Sequence, residues 1–344
     1  MTVALDLGSS EFRSLRKTQQ RLIAKRIPAV YCAIQDHPHY RRILNQARIP
    51  HSTADDSLIV MGESACEVAR LVGTPLISIM AAGHFPIADP VGRQVCASLI
   101  ETILPPAEQL DEVCGICLPA AVTYNRAAGS QFYRNILKLR GYNCRPLNPA
   151  TAIAMAELDQ NQMTGLVLVV GAESVAISLT DHGRVVFEME YRRGLRSILQ
   201  RFAARYHRYV WDQQGRSFYD LQGVQQWLID AQIELSAPKS GPELWITKEL
   251  RRLMRDAWMA TLTLQLRHGR DAALSRRLPV VLAGGPVYLA GFPDLLSAVF
   301  RELRPPIHIT TMRSSIFASF AVTRGLLIHA ELTSGQGTAV LRAA

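Results

Sequence analysis

Three times this chain runs an apolar stretch directly into a turn of small residues, and that recurrence limits what it can fold into. Val3-Ala4-Leu5 leads into Asp6-Leu7-Gly8-Ser9-Ser10. Val167–Val170 leads into Gly171-Ala172-Glu173-Ser174, and Pro279–Ala283 leads into Gly284-Gly285. Each reads as a strand ending in a tight bend. At Gly8 the missing side chain lets the backbone approach a phosphate closely. Ser9 and Ser10 add hydroxyl donors. Asp6, at the strand end, is a candidate to hold magnesium through water.

With 344 residues the chain exceeds the usual span of one core, so two domains are expected. No apolar run approaches the ~18 residues of a membrane span. The first residues lack a basic segment followed by an apolar core, which reads against export. The six cysteines are scattered. Cys114-Gly115-Ile116-Cys117 falls inside Val113–Leu118, a stretch that reads as a buried strand rather than a redox or metal motif. A reducing cytoplasm is the expected location. The net charge is +9, and Arg192, Arg193, Arg196, Arg201, Arg205 and Arg208 crowd one segment. That segment reads as a helix with a solvated basic face, which would attract anionic lipid or an acidic partner if it has a role. No nucleic-acid motif accompanies it, so no nucleic acid is expected. His37-Pro38-His39 reads as a loop, because further metal ligands are not evident nearby.

Periodicity and punctuation give an alternating α/β pattern. Helices are expected at Val91–Leu104, Asn125–Arg140, Pro149–Leu158, Arg196–Trp211, Leu221–Leu235, Glu249–His268, Phe292–Leu303 and Ile316–His329. Strands are expected at Val113–Pro119, Gly165–Thr180 (as a hairpin), Val185–Tyr191 and Ile307–Thr310. Each half opens with strand, small turn, strand.

In this order the pieces resemble the actin-like ATPase superfamily, and most the bacterial MreB shape-determining proteins. Asp6–Ser10 is similar to the first phosphate loop of that family. Leu22–Val30, Met61–Ala65, Gly73-Thr74-Pro75, Ile87-Ala88-Asp89 and Gly115–Pro119 follow with family-like spacing. Pro149–Ala152 resembles the connecting-helix motif, Leu282–Gly285 the adenosine motif, and Arg324-Gly325 the last helix. The resemblance implies duplicated actin-like (ribonuclease H-like) domains with an interdomain nucleotide cleft. Residues 1–146 would form the first, with a small insertion at roughly 32–75. Residues 147–344 would form the second, with an insertion at roughly 182–250. ATP and magnesium would sit between Gly8–Ser10 and Gly171–Ser174, with Gly284 and Gly285 beside the adenosine.

The departures are chemical. The family's second loop begins with aspartate, where this chain has Val169. Glu173 brings negative charge to the place of the phosphates. The acid that helps activate water in MreB relatives is replaced by Asn148, which can orient water but cannot take its proton. Ile229–Ser236, aligned with the family's purine-facing helix, offers Asp230, Gln232 and Glu234 and no lysine. Slow or lost hydrolysis is expected. The resemblance implies self-association into filaments, a link to cell shape, and contact with an anionic membrane surface or envelope-synthesis proteins. Ile103-Leu104-Pro105-Pro106 falls near the place of an apolar membrane loop. The alternatives are a pseudo-ATPase scaffold, an FtsA-like adaptor (its terminal anchor is not evident in Leu332–Ala344), a chaperone-type switch, and a small-molecule kinase, for which no aspartate base accompanies the second loop.

Overall fold

The computed structural model describes all residues except 1, 19–20, 81–85, 87–88, 119–127, 213, 269–276, 306 and 343–344. The expectations at Ile87-Ala88, Pro119 and residues 125–127 therefore lie outside the described residues.

The first half contains β1 (Thr2–Leu7), β2 (Glu11–Lys17), β3 (Leu22–Pro28), β4 (Val30–Gln35), α1 (Pro38–Gln46), β5 (His51–Ala54), β6 (Ser57–Met61), α2 (Gly62–Val72), β7 (Ile77–Ser78), α3 (Pro90–Ile103), β8 (Glu112–Cys117), α4 (Ala128–Leu139), β9 (Tyr142–Pro146) and α5 (Pro149–Glu157). The second contains β10 (Gly165–Val170), β11 (Val175–Asp181), β12 (Arg184–Tyr191), α6 (Leu195–Arg205), β13 (Tyr209–Trp211), β14 (Ser217–Tyr219), α7 (Leu221–Asp230), α8 (Gly241–His268), β15 (Arg277–Gly284), α9 (Phe292–Leu303), β16 (His308–Ser314) and α10 (Ala321–Arg342).

Two sheets of five strands repeat one topology. Their orders are β3-β2-β1-β8-β9 and β12-β11-β10-β15-β16. In both, the first strand pairs antiparallel with the next and parallel with the later one. A four-stranded sheet, β5-β6-β4-β7, is set into the first half, and the hairpin β13-β14 into the second. The shared pattern is the duplication that the three small turns announced.

Apolar side chains cover both faces of each main sheet, as expected for strands with near-continuous apolar runs. Val3, Leu5 and Leu7 pack with Val95, Leu99 and Ile100 of α3 and with Tyr133 and Leu137 of α4. The opposite face meets α10: Ala4, Leu15 and Cys117 pack with Leu326 and Leu327. In the second sheet, Leu166, Leu168 and Val170 face α6, α8 and α9, whereas Val167, Val281 and Ala283 face Ala150, Ile153 and Ala154 of α5. The helices α5 and α10 are therefore packed together between the two sheets. Small residues allow this. A Cβ at Gly325 would lie 1.7 Å from the Ala152 carbonyl oxygen, so the two helix backbones touch.

Glu157, at the end of α5, is buried and holds the approach to α10. It pairs with Arg313 at 2.5 Å and accepts from the backbone N–H of Ile316 at 3.0 Å. The Ser315 hydroxyl donates to the same carboxylate.

The expected elements shift at several ends. The helix expected through Trp211 stops at Arg205, and Tyr209–Trp211 pairs antiparallel with Ser217–Tyr219. His207, in the left-handed region at φ 52°, makes the break. The helix expected through Leu235 stops at Asp230. The long helix begins at Gly241 rather than Glu249, because Ser240 and Glu243 cap it: the Glu243 N–H donates to the Ser240 hydroxyl at 3.4 Å, and the Glu243 carboxylate accepts from the Lys239 N–H at 2.8 Å. The last helix begins at Ala321, after a short 3-10 turn at Ala318–Phe320.

Candidate functional site

The first bend joins β1 to β2. Asp6 is 6% exposed and stands opposite Arg13 in the antiparallel register. The Arg13 guanidinium donates to Asp6 at 3.3 Å and to Glu11 at 2.7 Å. Burial pushes the Asp6 carboxyl up, and the guanidinium opposes that rise. The bend is tight: a Cβ at Gly8 would lie 2.9 Å from the Glu11 carbonyl oxygen. The Ser10 carbonyl accepts from the Ala29 N–H at 2.9 Å, which ties the bend to the start of the inserted sheet.

The second bend joins β10 to β11. Its Gly171 N–H donates to the Ser174 carbonyl at 2.8 Å. The Ser174 hydroxyl donates to Glu190 on β12 at 2.6 Å, and burial pushes the Glu190 carboxyl up. The start of α6 presses against this bend. Leu195 and Arg196 donate their N–H groups to the carbonyls of Gly171 and Ala172, at 3.0 Å and 2.8 Å. A Cβ at Gly194 would lie 2.5 Å from the Ala172 backbone, so only glycine fits this approach. The first N–H groups of a helix are a natural anion site, but two of these already donate to the bend itself.

The third bend meets the other two at the same place. Gly284 ends β15 opposite Val170, at φ 101°. A Cβ at Gly285 would lie 3.5 Å from the Leu195 side chain. From the other side, Arg196 donates to the Ser9 carbonyl of the first bend at 3.5 Å. All three glycine-rich turns thus converge on the first turn of α6.

What stands at that meeting point is a side chain the sequence reading left in solvent. Arg196 is 19% exposed, and its Nε lies 2.5 Å from the Glu173 carboxylate. It also donates to the Ser78 hydroxyl at 3.1 Å, on β7 of the inserted sheet. The expectation of a solvated basic face fails for this arginine. It fails in part for Arg201 as well, which pairs with Glu249 at 2.6 Å. No signal in the linear order pointed to Arg196, because Ser9 lies 187 residues away.

The remaining candidate positions serve the fold. The Asn148 side chain caps α5 by accepting the Ala150 N–H at 2.9 Å. Val169 lies half-buried against the cluster around α5. Glu234 accepts from the Ser236 hydroxyl at 2.6 Å, and Asp230 from Gln226 at 2.8 Å. Ile103 and Leu104 are core residues, so that segment is not an exposed membrane loop. Cys114 and Cys117 are buried, and burial pushes both thiols well up, in keeping with structural thiols. His37 caps α1, so Pro38 and His39 open a helix rather than a loop.

The donor set does not fit a magnesium ion. Mg2+ takes carboxylate and water oxygens in an octahedron. Here Asp6 faces Arg13, Glu173 faces Arg196, and Val169 offers no oxygen. Among the described residues, no group of three or more His, Cys, Asp or Glu is arranged to hold a metal.

A sequence model of the volactin family matches residues 1–330. The chain belongs to the volactin family. Its fold is actin-like, with similarity to MreB. The MamK double helical filament structure matches at a TM-score of 0.66 and 14% identity, over 96% of this chain and 99% of that one. MreB5 of Spiroplasma citri bound to ADP matches at 0.60 and 14%, over 96% of each chain. The ethanolamine utilization protein EutJ of Carboxydothermus hydrogenoformans matches at 0.50 and 14%, over 95% of this chain and 88% of that one. Comparison with curated protein sequences finds no match. Among the described residues of this volactin-family chain, no helix is long and apolar enough to cross a membrane.

Proposed function

We propose that this volactin-family chain is an actin-like assembly subunit that associates with itself into filaments and does not hydrolyse ATP at an appreciable rate. The observation that carries the second part is the state of the cleft carboxylates. Asp6 is paired with Arg13, and Glu173 with Arg196. The position that would activate water is Asn148, already engaged as a helix cap. Hydrolysis needs a base or a metal-held water near the terminal phosphate, and the carboxylates of both bends are already engaged by arginines.

The first part is supported by the whole-chain likeness to MamK, whose structure is a double helical filament. MreB5 of the same fold was solved with ADP and with AMPPNP, so adenine nucleotide is the ligand to test. The two sheets meet at α5 and α10, with α10 returning to the first sheet.

Two measurements on the full chain decide the reading. Pelleting and electron microscopy at raised concentration should show polymer with or without ATP; no polymer under any nucleotide condition overturns the assembly claim. Phosphate release should stay at the blank rate with magnesium present; sustained turnover overturns the claim about the cleft.

A further inference from the structure

We infer that Arg196 acts as the cleft's own closing cation, joining the second bend to the first bend and to the inserted sheet so that the clamp closes without nucleotide. The inference rests on the reading of the cleft as non-hydrolytic, but not on filament formation. The partners of this one guanidinium lie on both sides of the crevice. Glu173 belongs to the second half; Ser9 and Ser78 belong to the first. In an actin-like clamp, the group touching both facing bends is expected to be phosphate with its metal. Here a planar cation with several fixed donors takes that place and finds a carboxylate, a carbonyl and a hydroxyl.

The base of the side chain is held rigidly. The Arg196 N–H donates to Ala172 at 2.8 Å, and Gly194 seats the helix start on the bend. The guanidinium therefore projects from the second half in a set direction. The β13-β14 hairpin also reaches the first half: a Cβ at Gly73, just past α2, would lie 3.7 Å from the Trp211 carbonyl oxygen. A triphosphate entering the crevice would have to replace Glu173 as the partner of Arg196 while standing beside that carboxylate. Like charges a few Å apart repel. Phosphate and the closed bridge thus compete, which reverses the usual order in which nucleotide closes the clamp.

The test uses the full chain kept dilute enough to be monomeric. Small-angle scattering gives the radius of gyration, and amide hydrogen exchange reads Gly8–Ser10 and Ala172–Ser174. The wild type should keep one radius with and without ATP and magnesium. Arg196→Ala should enlarge the radius and speed exchange at both bends by tenfold or more. Ser78→Ala should speed exchange in the first bend less. The reversed pair Arg196→Glu with Glu173→Arg should restore part of the protection. Should Arg196→Ala not fold, raised salt on the wild type serves instead, and exchange at both bends should quicken. A wild type that contracts only on adding ATP, an Arg196→Ala variant indistinguishable from wild type, or bends indifferent to salt where that variant does not fold, overturns the inference. Polymer formation is read separately. A chain that opens on Arg196→Ala but never polymerises keeps the bridge and loses the assembly claim; the converse keeps assembly and loses the bridge.

Discussion

The two phosphate-type bends occupy equivalent places in equivalent sheets, yet they neutralise their carboxylates in opposite ways. In the first, Asp6 is answered by Arg13, its direct neighbour across the β1–β2 ladder. The pair is local, and the sheet itself holds it. In the second, Glu173 is answered by Arg196, from a helix that begins after two further strands, and the same arginine continues across the crevice to Ser9 and Ser78. One duplicated scaffold has thus produced one pair that stabilises a sheet and one that connects two halves. The lesson concerns how a crevice disposes of its charge. The carboxylates on the two bends, Asp6 and Glu173, are each matched by an arginine, whereas the half-buried Glu190 beside the second bend is held by the Ser174 hydroxyl.

The comparison can be broken hardest at Gly194. Valine there would drive its Cβ into the Ala172 backbone. The second bend should lose its seat at a cost of about 3 kcal/mol or more, in line with severe overpacking. Chemical denaturation should show this as a large fall in midpoint, or as failure to accumulate folded protein.

Arg13→Ala comes next. It leaves the buried Asp6 without its cation, and breaking such a pair costs on the order of 3 kcal/mol. The loss should depend on pH with a definite sign. Asp6 already has its folded pKa raised, and removing Arg13 raises it further. The folded state then binds the proton more tightly than the unfolded state. Stability is therefore greatest below the unfolded value of Asp6 and is lost as pH rises through the folded one. Denaturation at several pH values should show the variant recovering on acidification, relative to wild type. A deficit independent of pH would mean that Arg13 matters through packing alone.

Asn148→Ala should cost about 1 kcal/mol, as lost N-caps do, whereas Asn148→Asp should keep the cap. Thermal melting resolves the pair. A cost far above this would mean that Asn148 holds more than the start of α5.

The smallest expected effect is at Glu190, which sharpens the picture of the second bend. Its folded pKa is raised by burial despite the Ser174 hydroxyl. Its contribution is present below its unfolded value and lost as pH rises through the folded one. Glu190→Gln should therefore be close to neutral in acid and mildly stabilising at neutral pH, with a flatter pH profile than wild type. A variant destabilised equally at every pH would contradict this assignment.

Much of the fold could be read before any coordinates because its bends demand particular residues. Gly8, Gly171 and Gly284 mark turns where backbones approach, and alternation around them gave the strands. The helices expected at Val91–Leu104 and Pro149–Leu158 are present as α3 and α5, and the structure adds that Asp89 and Asn148 cap their starts. The misses have physical reasons as well. Ser240, with Glu243, caps α8 from within Ser236–Pro242, where two prolines and polar residues mask the helix start. Tyr209–Trp211 carries helix-compatible spacing, and only pairing with Ser217–Tyr219 turns it into a strand.

The residues alone determined that this chain would make two strand–bend–strand units, that the third glycine pair would accompany them, and that positions 148 and 169 would carry an amide and an alkyl side chain. Those properties depend on neighbours within a few positions, where sterics and side-chain chemistry act directly. The tertiary structure decided what became of the leftover charge. Arg196 meets Ser9 across 187 positions, and only the packing of α6 on the second bend aims it there. Electrostatic partners are chosen by distance in space, and sequence separation carries no record of it.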